Sequence, residues 1–265
     1  MVGLFLLQKE KKFAIVVTMK KLLCLLLLVL AGCAHQMMEA PEGFLYEEIE
    51  TKTYRLASWQ KMTDKRAPVR IYIEGDGYSF NHNGQATGNP TPKGHFVRDL
   101  AFNDPNPNVV YLARPCQYVE DEQCTYSSFA WTTGRFSKAA VDSVGEAVET
   151  LAAGRPVVLI GYSGGAMISG LTLSRNPNID VLKWITIAGV LNHKAWTTHH
   201  KVRPLVDSLD MKAVPNVTQM HFVGERDSVV PPALVQQMAP EGTVYIVPNA
   251  SHSAGYEAIY PQFYK

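Results

Sequence analysis

A serine flanked by glycines lies near the middle of the chain, in Gly161–Gly165 (GYSGG). This segment fits the pattern G-x-S-x-G, in which small flanking residues allow the serine a strained backbone conformation at a sharp turn. A serine hydroxyl is a poor nucleophile until a base removes its proton, so nucleophilic chemistry also requires a histidine and a carboxylate that orients the histidine. The same pattern occurs by chance in glycine-rich turns, and the flanking elements therefore decide between the two interpretations.

The segments on either side of Ser163 are those that a nucleophile requires. Residues 156–160 form a continuous apolar run, typical of a strand buried on both faces, and residues 165–174 have the apolar spacing of a helix. A strand–turn–helix arrangement exposes the hydroxyl at the carboxyl end of a sheet and directs the N–H groups of the helix N-terminus toward the reacting centre. This context favours a catalytic Ser163.

Strands and helices alternate along most of the chain. Apolar, β-rich runs cover residues 69–73, 108–112, 156–160, 181–187, 217–223 and 243–247. Helical patterns cover residues 93–102, 137–153, 165–174 and 232–239, with Ser137 as the expected N-cap of the second helix and Gly154 as its stop. The alternation predicts a mostly parallel sheet covered by helices on both faces, within one domain, because no shift in composition divides it.

With this serine turn, the sequence resembles the α/β-hydrolase superfamily over nearly the whole chain that follows the N-terminal segment. In that superfamily the acid follows a late strand and the histidine follows the last strand. The resemblance implies an α/β-hydrolase fold with Ser163 as nucleophile, Asp227 in Gly224–Asp227 as acid, and His252 as base. A plain turn or helix N-cap is the alternative role for Asp227.

Other acids and histidines downstream of the serine match the pattern less well. Asp207 and Asp210 are weaker candidates for the acid, because no strand leads into them. His221 begins a strand and is expected to pack there. The remaining histidines lie between the serine and the acid, in the wrong chain order for the superfamily: His193, His199 and His200.

The resemblance also implies two backbone N–H donors for an oxyanion. One is Gly164, directly after the nucleophile. The other is Asp76, in the turn Glu74–Gly77 that follows the first strand, where Glu74 replaces the histidine often found in lipases and esterases. A carboxylate at Asp76 opposes a neighbouring oxyanion unless its side chain points away, so this turn departs from the usual pattern.

The N-terminal segment is typical of an export signal. Lys20 and Lys21 precede the apolar run Leu22–Leu30, which is far shorter than the roughly 20 residues of a bilayer-spanning helix. The next residues, Leu30–Cys33 (LAGC), resemble the bacterial lipobox, which implies that Cys33 is lipidated. By the same resemblance Ala34 points to the outer membrane of a Gram-negative cell, with the protein facing the periplasm. A plain signal peptide or an uncleaved anchor is the alternative.

These features predict three segments. Residues 1–32 are a signal peptide, with Met19 as an alternative start to Met1, residues 33–50 are a lipidated tether, and residues 51–265 are the hydrolase domain. Since Cys24 lies in the signal and Cys33 is the lipidation site, two cysteines remain in the domain. Cys116 and Cys124, eight positions apart in an exported domain, most simply form a local disulfide, and free thiols are the alternative.

A narrower resemblance extends beyond the serine turn. Ala113–Tyr118 (ARPCQY), Cys124, Trp131, Arg135–Ser137 and Asn192–Trp196 are similar to segments of a group of uncharacterised bacterial exported α/β-hydrolases. Within these segments three aromatic residues are candidates for lining a substrate cleft, with packing as the alternative role: Tyr118, Trp131 and Trp196.

Composition limits the function classes. The 265 residues are 46% hydrophobic and 18% charged, which is a globular composition, and the formal net charge of +1 gives no electrostatic case for nucleic acid. The histidine spacings match no metal site, and we expect neither a metal nor a cofactor.

Taken with the serine turn and the N-terminal segment, the sequence indicates a serine hydrolase that cleaves a small-molecule or lipid ester, thioester or amide through an acyl-enzyme in the cell envelope. A non-catalytic envelope lipoprotein that uses the same fold for binding or assembly is the alternative.

Overall fold

The computed structural model describes residues 40–120, 122–213 and 215–264. Within these residues, eight strands form one sheet: β1 (Leu45–Glu50), β2 (Arg55–Met62), β3 (Val69–Ile73), β4 (Asn108–Leu112), β5 (Val157–Tyr162), β6 (Val181–Ile187), β7 (Gln219–Gly224) and β8 (Val244–Val247). The helices are α1 (Phe96–Phe102), α2 (Glu122–Thr125), α3 (Lys138–Ala152), α4 (Gly164–Arg175), α5 (His193–His199), α6 (Pro232–Gln236) and α7 (Tyr260–Phe263). Two short 3₁₀ turns cover Phe129–Trp131 and Glu257–Ile259.

The sheet has the strand order β1-β2-β4-β3-β5-β6-β7-β8. The pairs β1–β2 and β2–β4 are antiparallel, and the other neighbours are parallel. Every residue of β3 and β4 is buried, which requires cover on both faces of the sheet. The predicted fold class, a mostly parallel sheet with helices between its strands, is confirmed.

Six strands and four helices occur where the apolar patterns predict them, with shifts at their ends. The first predicted helix begins at Phe96 and the last predicted one ends at Gln236. In α3, the Ser137 hydroxyl accepts a hydrogen bond from the N–H of Ala140, as expected of an N-cap. The chain leaves this helix through Ala153 and Gly154, which both have positive φ angles.

The predicted tether at residues 33–50 is wrong at its C-terminal end. Residues 45–50 form β1, which pairs with β2 over its whole length, and Phe44 and Ile49 are buried. The cluster of glutamates suggested an exposed tether, but an edge strand buries few of its side chains and tolerates such charges on its open side. The sheet domain therefore begins before residue 51. The predicted signal, Cys33 and the rest of the tether up to residue 39 lie outside the described residues.

A buried ionic network lies near the amino end of β3, away from the carboxyl ends of the strands. Arg70 Nε donates to Asp104 Oδ2 at 2.6 Å, and the Tyr72 hydroxyl donates to the same oxygen at 2.6 Å. The Arg70 guanidinium also donates to the carbonyl of Phe263 in α7. This network therefore joins a central strand to the last helix of the described chain.

None of the helices in the described ranges is both long and apolar enough to cross a bilayer.

Candidate active site

Ser163 occupies the sharp turn between β5 and α4. Its backbone has φ 50° and ψ −120°, a conformation that side-chain-bearing residues rarely adopt. The flanking glycines are required by space: a Cβ on Gly161 would lie 2.6 Å from the carbonyl oxygen of Gly165, and a Cβ on Gly165 would lie 2.6 Å from that of Glu74. The G-x-S-x-G pattern thus permits the close approach of β5, α4 and the turn after β3.

Three side chains predicted to act together lie in one hydrogen-bonded row. His252 Nε2 lies 3.1 Å from Ser163 Oγ, and His252 Nδ1 lies 2.9 Å from Asp227 Oδ2. The Asp227 side chain is fully buried, whereas the His252 side chain is 21% exposed. This geometry allows the imidazole to accept the serine proton at Nε2 while the carboxylate fixes the tautomer protonated at Nδ1.

The loops after β7 and β8 position the acid and the histidine. Asp227 Oδ1 accepts hydrogen bonds from the N–H groups of Val229 at 2.9 Å and Val230 at 2.8 Å, which leaves Oδ2 for His252. The two loops also bond to each other, because the N–H of Arg226 donates to the carbonyl of Ala250 at 2.9 Å. The side chains of Asp227 and His252 are therefore held by backbone contacts between adjacent loops.

The competing acids lie elsewhere. Asp207 is exposed. Asp210 pairs with Lys194 at 2.6 Å and lies 3.1 Å from Nε2 of the buried His193, whose ring nitrogens have no hydrogen bond of good geometry among the described residues. Burial lowers the pKa of His193, although the charge of Asp210 opposes this effect. His193 lines the same cavity as Ser163, but it does not take the position of the base.

The other histidines have structural partners. His200 Nε2 lies 2.8 Å from the carbonyl of Val229, and the exposed His199 packs its ring edge-on against that of His200. His221 is fully buried in β7, with Nδ1 2.8 Å from Thr186 Oγ1 and Nε2 2.8 Å from Gln219 Oε1. Burial lowers the pKa of His221 to about 4, so the ring is neutral at pH 7.

The turn Glu74–Gly77 lies directly against the serine turn. A Cβ on Gly75 would lie 3.2 Å from Ser163 Cβ, so this glycine permits the close approach. In the part of the chain that the structure describes, the N–H groups of Asp76 and Gly164 have no acceptor, as expected of two oxyanion donors. The Glu74 carboxylate accepts hydrogen bonds from the N–H of Gly75 in the same turn at 2.8 Å and from the hydroxyl of Tyr111 in β4 at 2.6 Å.

The Asp76 side chain does not point away from the serine turn. A Cβ on Gly164 would collide with Asp76 Oδ1. Instead, the carboxylate is held between two buried arginines, with Arg114 donating to Oδ1 and Arg135 donating to Oδ2. Burial alone raises the pKa of Asp76, but the charges and hydrogen bonds of Arg135 and Arg114 outweigh it and lower the pKa. The repulsion expected from this carboxylate is thus offset by two positive charges.

A cavity of about 770 Å³ opens onto the row of three side chains, and Ser163 and His252 both line it. Its wall is rich in aromatic side chains: Tyr78, Phe96, Phe136, Tyr162, Trp196 and Tyr260. Of the three aromatic residues predicted to line a cleft, Trp196 does so. Trp131 is buried with its indole N–H bonded to the carbonyl of Thr87, and the Tyr118 hydroxyl lies 3.2 Å from that of Tyr111.

The two cysteines of the domain form the predicted pair, since Cys116 and Cys124 are joined by a disulfide. In the described ranges no group of three potential ligands is placed to hold a metal ion. Sequence reasoning assigned no role to Arg114, Gln117 or Arg135, although all three lie in the segments that carry the narrower resemblance. An arginine two residues after the buried strand β4 is a signal that could have indicated Arg114.

No family model matches the chain, and no curated protein matches it. Solved structures do. An α/β serine hydrolase without a lid from Xanthomonas campestris has 14% identity and a TM-score of 0.51, over 84% of this chain and 91% of its own. A serine hydrolase from Cycloclasticus zankles has 12% identity and a TM-score of 0.56, over 84% of this chain and 97% of its own. A membrane phospholipase A described as a bacterial virulence factor has 15% identity and a TM-score of 0.53, over 98% of this chain and 96% of its own. At such identities the likeness is one of fold.

Proposed function

Because the chain has the α/β-hydrolase fold, we propose that it is a serine hydrolase that cleaves an ester, thioester or amide through an acyl-enzyme on Ser163. The observation that carries this proposal is the position of His252, with Nε2 3.1 Å from Ser163 Oγ and Nδ1 2.9 Å from the buried carboxylate of Asp227. A serine, a histidine and an acid in this order and geometry can activate the hydroxyl as a nucleophile.

The reaction has two halves. In the first, His252 Nε2 takes the proton of Ser163 Oγ as that oxygen attacks the carbonyl carbon, and the oxyanion accepts hydrogen bonds from the N–H groups of Gly164 and Asp76. His252 then gives the proton to the leaving group, which departs as an alcohol, thiol or amine. In the second half, His252 takes a proton from water, the hydroxide attacks the acyl-enzyme, and Ser163 is released with its proton restored.

The substrate class we propose is a small-molecule or lipid ester. The aromatic wall of the cavity supports an apolar acyl or leaving group, because aromatic side chains provide large apolar contact areas. The membrane phospholipase A among the similar structures makes lipid esters worth including. A panel of chromogenic esters of increasing acyl length would identify the preferred chain, because each methylene that enters an apolar pocket improves kcat/KM.

A fluorophosphonate probe tests the nucleophile directly. We expect covalent labelling of Ser163 in the folded protein and none in the Ser163→Ala variant. Folded protein that is neither labelled nor active on any ester of the panel would contradict the proposal and leave binding or assembly as the function of the fold.

We also propose that the protein is anchored to the periplasmic face of the outer membrane through lipid on Cys33. The support is the segment LAGC after a short apolar run, together with a disulfide, which is typical of exported proteins. Expression in a Gram-negative host with labelled palmitate tests it. We expect the label on the wild type and on Cys24→Ser, and none on Cys33→Ser. Equal labelling of both variants would contradict the anchor.

A further inference from the structure

The turn after β3 is held in place by the chain that follows β4. Gln117 Nε2 donates to the carbonyl of Gly75 at 3.0 Å, and Gln117 Oε1 accepts from the N–H of Arg114 at 3.0 Å. The Arg114 guanidinium in turn donates to Asp76 Oδ1. Arg114 and Gln117 are buried, at 3% and 1% exposure, so water does not compete for these bonds. The position of the Asp76 N–H is therefore fixed by polar contacts to its own carboxylate and to the adjacent carbonyl.

Arg135 reaches the same carboxylate from the segment before α3. It donates to Asp76 Oδ2, and its Nε donates to the carbonyl of Thr132 at 3.1 Å. Arg114 also donates to the backbone carbonyl of Arg135, so the two arginines and Asp76 form one connected cluster. Arg135 and Asp76 line the cavity, and Arg114 does not.

The charges of this cluster bear on the oxyanion. Asp76 contributes one negative charge beside Gly164, and Arg114 and Arg135 contribute two positive charges, which gives the three side chains a net charge of +1. Without the arginines, the carboxylate would repel the negative oxygen that its own backbone N–H has to bind. Glu74, the other carboxylate of the turn, bonds to Tyr111 and to the N–H of Gly75.

We propose that Arg114 and Arg135 are positioning residues for the oxyanion site. They neutralise the Asp76 carboxylate and fix its backbone N–H, and they therefore act on the transition state and not on substrate binding. This inference rests on the proposed hydrolase function. It assigns a role to an aspartate that is otherwise unfavourable at a donor position.

Steady-state kinetics on a chromogenic ester, with the Kd of a boronic acid inhibitor, tests the inference. A boronate forms a tetrahedral adduct with a catalytic serine and thereby reports on the oxyanion site. For Arg135→Gln we expect kcat to fall about tenfold or more with KM within about twofold, and the boronate Kd to rise by a similar factor. Arg135→Lys, which keeps the charge, should lower kcat by a smaller factor. The matched control is Arg175→Gln, which removes a surface arginine paired with Asp142. Its kcat, KM and boronate Kd should equal those of the wild type.

A double-mutant cycle shows whether Arg135 acts through Asp76. When the carboxylate is first removed by Asp76→Asn, the further change Arg135→Gln should lower kcat by less than about threefold, because no negative charge remains to be neutralised. An equal loss in both backgrounds would overturn the inference. A rise in KM with unchanged kcat would also overturn it, because Arg135 would then bind the substrate.

Two further results separate the possible failures. If Arg135→Gln does not fold, the charge-retaining variants Arg114→Lys and Arg135→Lys carry the test: a fall in kcat at constant KM supports the inference, and a change in KM alone overturns it. If the wild type is labelled by a fluorophosphonate but Arg135→Gln retains full kcat, this inference fails and the hydrolase proposal stands. If the folded wild type is neither labelled nor active on any ester of the panel, both fail.

Discussion

At the scale of single residues, the two oxygens of the Asp227 carboxylate have different partners. Oδ1 accepts two backbone N–H groups, and Oδ2 faces His252 Nδ1 at 2.9 Å. In Asp227→Asn the amide oxygen can keep the backbone bonds, but the amide NH₂ then faces the imidazole and favours the wrong tautomer. We expect the fold to persist and kcat to fall by orders of magnitude; the equivalent change in a serine protease costs about 10⁴-fold.

The control for this variant is Asp210→Asn, since Asp210 pairs with Lys194 outside the row. Circular dichroism should show both variants folded, and ester hydrolysis should be retained in the control alone. If Asp227→Asn stayed active while Asp210→Asn or Asp207→Asn did not, the acid would be misassigned, and the role of Ser163 would be unaffected.

His221 is expected to make stability depend on pH. Its pKa is lowered by burial from 6.5 to about 4, so the unfolded chain binds the proton more readily than the folded protein. The contribution of His221 to the free energy of unfolding is therefore fully present above pH 6.5. It declines as the pH falls toward 4, by up to about 3 kcal/mol at 1.36 kcal/mol per pKa unit. Urea unfolding across this range should show a smaller decline in His221→Gln. An equal decline in the variant would mean that other groups cause it.

At the scale of elements, the segment after β4 connects the disulfide to the oxyanion turn. Cys116 is adjacent to Gln117, and a bond across eight positions is expected to contribute about 2–3 kcal/mol through loop closure. Reduction should lower the Tm by about 5–10 °C, and kcat should fall because Gln117 and Arg114 are less firmly held. Thermal unfolding and ester kinetics with and without reductant check this. Cys124→Ser should resemble the reduced wild type and show no response to reductant.

The parts of the fold that sequence patterns predicted are those whose burial is uniform. β3, β4 and most of β5 are buried at every position and therefore appear as continuous apolar runs. β1 and β2 were not predicted, because an edge pair mixes exposed and buried positions and its glutamates and lysine resemble a loop. The row of Ser163, His252 and Asp227 could be predicted from the sequence, because the superfamily pattern fixes their order in the chain and the strands that they follow. The contacts of Arg114 and Arg135 with Asp76 could not be predicted, because these arginines are 38 and 59 positions away from it and only the folded chain brings them together.

At the scale of the whole molecule, the Arg70 network joins the middle of the sheet to α7. Asp104 is completely buried, so removing its cationic partner leaves a carboxylate with neutral hydrogen-bond donors alone. We expect Arg70→Met to lower the free energy of unfolding by about 3–5 kcal/mol while kcat of the folded fraction stays unchanged, because the network lies away from Ser163, Asp227 and His252.

Urea unfolding measures this loss, and the exposed pair of Lys138 and Asp142 provides the comparison. Lys138→Met should change the free energy of unfolding by less than about 1 kcal/mol, as is usual for surface ion pairs. A small effect in Arg70→Met as well would mean that α7 is held by its apolar contacts, chiefly Phe263 against Phe222.

The positive φ of Ser163 has a consequence for how such a protein evolves. A conformation of this kind costs about 1–3 kcal/mol for a residue with a side chain, and glycine adopts it more readily. Ser163→Gly should therefore raise the Tm while it removes the nucleophile, which calorimetry and fluorophosphonate labelling together would show. A lower Tm in this variant would mean that the serine side chain contributes more through its contacts than its backbone loses. If the Tm rises, selection for stability alone would favour glycine at position 163. A serine that is retained there during evolution would then indicate continuous selection for the reaction.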